Sequence, residues 1–139
     1  MNTLIRSFLL LIACAAAAAL HAADGPEPSD AEKAFFRDLK KAALEGDRAW
    51  VIAHVSLPVR VTIEGRARML ATTEELEAAY PQIMTLDAVN AIRRQSSETL
   101  VRTRQGVMVG DGVVWLDEDP ATPAGKEPRI CIVAFGNSG

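Results

Sequence analysis

Residues 105–116, QGVMVGDGVVWL, decide how the rest of the chain is read. Asp111 and Gly112 stand between two runs rich in β-branched residues, and Asp-Gly in that setting is the signature of a type I′ hairpin turn. A two-residue turn there sets Val109 against Val114, Met108 against Trp115 and Val107 against Leu116. Side chains alternate between faces along a strand. One face of the ribbon therefore carries Met108, Val113 and Trp115, and the other carries Val107, Val109, Val114 and Leu116. Leaving either face wet forgoes about 25 cal/mol per Å² of apolar surface. The ribbon needs a cover on both sides.

Working outward, residues 100–104 form a strand that enters the hairpin through Gly106, a bulge position. Residues 117–127 are acidic and then rich in proline and alanine, which predicts a loop. Residues 130–135 are a second strand apolar on both faces. Upstream, Val59, Val61 and Ile63 alternate with Arg60, Thr62 and Glu64, and Glu64 with Gly65 turns the chain into a weaker strand over 66–70. Ser29 with Glu32 forms a capping box, and Ala31, Phe35, Leu39 and Ala42 recur at helical spacing behind it. Gly46 stops that helix, and Asp47 caps a short second one reaching His54, with Trp50 and His54 on a shared face. Thr72 with Glu75 starts a third helix that Pro81 ends or perturbs near Tyr80. Residues 87–94 form a fourth, with Val89 and Ile92 inward. Helices first and strands last give α+β, with N-terminal helices packed on a strongly curved antiparallel sheet. The helices can cover one face of the sheet. A second copy of the chain is the simplest cover for the other, which predicts a homodimer.

The 139 residues are 49% hydrophobic and 24% charged, with a formal charge of −3, the profile of one ordinary globular domain. The beginning of the chain reads differently. Arg6 supplies a positive start, residues 7–20 are apolar and alanine-rich, and Leu20, His21, Ala22 and Ala23 provide a cleavage site, so residues 1–22 are a secretory signal peptide. Residues 23–29 are a flexible leader and residues 30–136 the single domain. The expected location is the periplasm or the extracellular medium. Leu11, Ile12, Ala13 and Cys14 also match a bacterial lipobox, and the alternative is a lipoprotein anchored to the membrane at Cys14. Removing Arg6 from 15 basic residues leaves 14 against 18 acids, a net of −4. That balance points away from nucleic acid. Cleavage leaves Cys131 as the single cysteine, which excludes an internal disulfide. Its place in an apolar strand predicts a packed, inert thiol.

Further residues carry a resemblance. Leu57, Pro58, Val59, Arg60 and Val61 follow two helices. Gly65, a helix ending near Tyr80 and the segment from Val89 to Ile92 come next, and Gln105 to Trp115 closes the pattern. This order over about residues 30–136 resembles the cone-shaped nuclear transport factor 2-like superfamily, with its cystatin-like α+β fold, and small exported bacterial members of unassigned function in particular. The resemblance implies a bent sheet wrapped around helices, a pocket inside the cone and frequent dimers. It implies no single activity, because that fold hosts isomerases, cyclases, dehydratases and binding modules.

The candidate chemistry is sparse. His54 would serve as a general base near neutral pH, and Tyr80 as an oxyanion donor; each is equally at home as a packing residue. Trp50, His54, Tyr80, Met108 and Trp115 are the expected pocket residues. Ser56 lacks the glycine elbow of a serine hydrolase. Asp117, Glu118 and Asp119 lack the glycine and distal glutamate of a calcium loop, and one histidine with one thiol cannot complete a zinc site. No metal and no cofactor is expected. Arg60, Arg66, Arg68, Arg102 and Arg104 lie on half-wet strands and would form an anion-accepting or partner-binding patch if those strands were neighbours. The reading is an exported non-enzymatic binding or interaction module whose partner is a protein or a small apolar ligand. The alternative is a small isomerase- or cyclase-like enzyme, or a carrier, using the cone pocket.

Overall fold

The computed structural model describes residues 26–136. The expected signal peptide, its expected cleavage site and Cys14 lie outside them. Ser29 accepts from Glu32 N and the Glu32 carboxylate accepts from Ser29 N, so the expected capping box opens α1 (Asp30–Glu45). Gly46 closes it in the left-handed region at φ +69°, where a side chain would be strained. Asp47 caps α2 (Arg48–Ala53), which leads into β1 (Val55–Ile63) and β2 (Arg66–Leu70). Thr72 caps α3 (Thr73–Ile83) and Thr85 caps α4 (Leu86–Arg94). Four strands follow: β3 (Val101–Thr103), β4 (Gly106–Val109), β5 (Val114–Glu118) and β6 (Ile130–Phe135).

The architecture is α+β, with one open six-stranded sheet in the order β2-β1-β6-β5-β4-β3. It is mixed, which corrects the expected antiparallel sheet: β1 and β6 run parallel, with Val61 beside Phe135. Alternation reports only which side chains share a face, and it is the same whether the neighbouring strand runs parallel or antiparallel. The hairpin register is the one the turn predicts, with Val107, Met108 and Val109 opposite Leu116, Trp115 and Val114. The loop itself differs. It spans Gly110 to Val113, with left-handed φ at Gly110 (+57°), Asp111 (+60°) and Gly112 (+94°).

The core lies between the helices and one sheet face. Phe36, Leu39, Val51, Leu76 and Ile92 meet Val59, Val61, Val107, Val109, Val114, Leu116, Ile132 and Phe135, each almost fully buried. Leu39 and Ala42 of α1 are buried as expected, and the difference lies in the first half of the helix. Phe36 and Glu32 point inward while Ala31 is exposed. Burial of Glu32, 2% exposed, is tolerated because its carboxylate is ion-paired with Arg102 of β3 and accepts from Ser29 N at 2.9 Å. α3 also continues past Pro81. Proline has no N–H for the carbonyl four residues back, so the Glu77 carbonyl is left without its helical partner.

On the opposite face a single cross-strand row runs from edge to edge: Met69, Arg60, Ala134, Trp115, Met108, Val101. Its middle is already closed in the single chain. Trp115 is 5% exposed and its Nε1 donates to the carbonyls of Gly112 (3.1 Å) and Gly136 (3.2 Å). The open positions are at the edges, where Met69 and Val101 are exposed.

Candidate functional site

The short helix α2 positions the residues with the most chemistry. The Asp47 side chain accepts from Trp50 N at 3.1 Å, which turns the chain sharply after Gly46 and sets α2 beside α1. Trp50 and His54, four residues apart, share one face and stack with ring centroids 3.9 Å apart and 17° between planes. Phe35 of α1 closes this ledge, 5.5 Å from Trp50 and 5.9 Å from His54. His54 Nδ1 lies 2.7 Å from the Trp50 carbonyl. A carbonyl only accepts, so in the neutral ring Nδ1 carries the proton and Nε2 is the basic nitrogen.

His54 and Phe35 line a cleft of about 520 Å³, within the usual range for a small-molecule site, together with Asp38, Asp119, Arg129 and Cys131. Cys131 is buried, as its strand predicts, and its thiol is pushed up to about 11. Burial is the main cause; the Asp119 carboxylate adds to it, and a hydrogen bond from Ser56 opposes it. A thiol so placed stays protonated at neutral pH and is a poor nucleophile. The Ser56 hydroxyl has one proton to share between that sulfur and Asp119 Oδ1, which is 3.5 Å away. Asp119 Oδ2 in turn lies 3.3 Å from Arg129. A nucleophilic relay would need serine on histidine and histidine on carboxylate. Here serine meets the carboxylate directly and histidine meets a backbone carbonyl.

Comparison with protein-family models, with curated proteins and with solved structures returns no match.

The expected pocket residues divide among three places. Trp50 and His54 form the ledge. Met108 and Trp115 lie on the face of the sheet turned away from the helical core. Tyr80 packs against Arg48, whose guanidinium sits 5.0 Å from the ring centroid. Burial raises the Tyr80 phenol above its ordinary value, the Arg48 charge opposes that, and Asp47 adds to it. The structure therefore does not bring His54 and Tyr80 into one acid–base site.

The five arginines are not brought together either. β2 and β3 are opposite edges of the sheet, so Arg66 and Arg68 are separated from Arg102 and Arg104 by four strands. Arg60 pairs in register with Met69 and faces away from Arg68, which pairs with Val61. Arg102 is spent on buried Glu32 and lies 3.6 Å from Asp117. Asp119 and Arg129 were not among the expected site residues. They join the cleft because Asp119 N donates to the Arg129 carbonyl at 2.6 Å, closing the loop between β5 and β6. No local spacing signals that closure.

A second cleft, of about 640 Å³, opens beside α2 and is lined by Arg48, Ile52, Leu57, Thr73 and Glu77. The two clefts share Ala53 and Val55 as walls.

Proposed function

We propose that the mature chain is an exported, non-enzymatic binding module of the bacterial envelope, with the cone architecture of the nuclear transport factor 2-like superfamily. It holds a small apolar ligand in the cleft beside His54. The observation that carries this reading is the state of the groups around that cleft. The thiol is held protonated, the carboxylate of Asp119 is engaged by Ser56 and Arg129, and His54 is tied through Nδ1. Such groups orient a guest. The ligand lays its apolar body against Phe35 and Ile130 and gives one hydrogen bond to His54 Nε2. Soluble export after cleavage near Ala22 or Ala23 is part of the proposal, with lipidation at Cys14 as its alternative. So is a homodimer through the row from Met69 to Val101. Only the edges of that row are open, so the association is weak.

The test is expression with the leader in an export-competent bacterium, purification from the envelope and native mass spectrometry. The expected result is a small-molecule adduct on the parent chain that His54→Ala and Phe35→Ala lose while remaining folded. A catalysed turnover that His54→Ala abolishes in a folded chain overturns the non-enzymatic reading. Light scattering that finds a strict monomer at micromolar concentration removes the dimer.

A further inference from the structure

The second cleft has a different character. We propose that it is a binding site for a monocarboxylate with an apolar body, such as a medium-chain fatty acid, independent of the ligand in the His54 cleft. Its wall is apolar where Ile52, Val55 and Leu57 are half-buried against the core. At its rim stands Arg48, and three features fix how that guanidinium is presented. The Tyr80 ring lies 5.0 Å from it. One N–H donates to the Glu77 carbonyl, the group that Pro81 leaves without a helical partner. Among the described residues no carboxylate pairs with it, in contrast to Arg102 and Arg129.

A guanidinium has five N–H donors in a planar fork, and one of them is occupied here. The rest suit the two oxygens of a carboxylate. Thr73 lines the same cleft, and its side chain carries one further hydroxyl donor. An oriented, unneutralised cation beside half-buried aliphatic side chains selects a molecule with one anionic end and one apolar end. Glu77 also lines the cleft, and its carboxylate opposes an anionic head. That opposition makes the charge of the ligand measurable.

The experiment is calorimetric titration of the full mature chain with octanoate and, separately, with octanol, which keeps the apolar body and removes the charge. Octanoate is expected to saturate, and octanol to bind about tenfold more weakly. Arg48→Gln, checked for fold by circular dichroism, is expected to lose about tenfold for octanoate. Glu77→Gln is expected to bind octanoate about two- to threefold more tightly, because a partly exposed like charge has been removed. Equal affinity for octanoate and octanol, or no saturation by octanoate up to about 10 mM, overturns the proposal on the parent chain alone. A folded Arg48→Gln chain that binds octanoate like the parent also overturns it, as does a Glu77→Gln chain that binds no more tightly. His54→Ala should leave octanoate binding unchanged, so failure here and failure of the His54 cleft are read separately.

Discussion

Replacing Arg102 by methionine tests the buried ion pair between the helical layer and the sheet. Glu32 sits on the first turn of α1 and is 2% exposed, and Arg102 is the cation that answers it from β3. With methionine at 102 the carboxylate keeps the Ser29 N–H at 2.9 Å and loses its counter-charge. Removing one partner of a buried pair costs about 3–5 kcal/mol. The Arg102 side chain is 19% exposed, so water can replace it in part, and the lower end, about 3 kcal/mol, applies. For a domain of this size that corresponds to a fall in melting temperature of about 10–15 °C. Asp117, 3.6 Å from Arg102, is open enough to be resolvated and contributes little. The diagnostic step is the double variant. Glu32→Gln keeps an acceptor for the Ser29 N–H and brings no charge, so Glu32→Gln/Arg102→Met should lie within about 1 kcal/mol of the parent. Urea unfolding followed by circular dichroism measures all four corners of the cycle. An Arg102→Met loss below about 1 kcal/mol, or a double variant as unstable as the single, refutes the account of this pair.

Three other perturbations have definite signs. Cys131 should react with a thiol reagent at neutral pH about a hundredfold more slowly than the same chain unfolded in urea, since its thiol is raised from 9.0 to about 11. The same shift makes stability fall as pH rises from about 9 to 11, because there the unfolded thiol has lost its proton and the folded one keeps it; a Cys131→Ala chain should lack that part of the decline. Gly106→Ala should cost at least about 2 kcal/mol, since φ is +125° and a Cβ would stand 2.5 Å from the Leu116 carbonyl oxygen; a melting temperature equal to the parent's would show that β4 shifts freely.

The elements were legible because their signals are local. Capping side chains, Gly46 and the Asp111–Gly112 turn each act over a few residues, and the α+β class and hairpin register follow from them. The inward face of α1 is legible at Leu39 and Ala42 but not at its start, because Glu32 looks like a surface acid until Arg102 is placed against it. Pro81 perturbs α3 without ending it: the missing hydrogen bond is visible in sequence, while the Arg48 donor that replaces it is not. Trp50 and His54 could be paired from their spacing alone. Cys131, Asp119 and Arg129 could not be added to them, since strand and loop meet α2 across more than sixty residues of chain.

By itself, then, the amino-acid order determines which segments are helix or strand and which side chains share a face, because those are properties of period and of turn chemistry. It also determines that the central hairpin must be covered on both sides. Strand neighbours are another matter. That β1 runs parallel to β6, and that β2 and β3 become opposite edges, is decided only when the whole sheet assembles. The physical reason is that a strand's side-chain pattern is the same whichever way its neighbour points. Which charges meet, which arginine is spent on a buried acid and which is held against a backbone carbonyl all follow from that assembly.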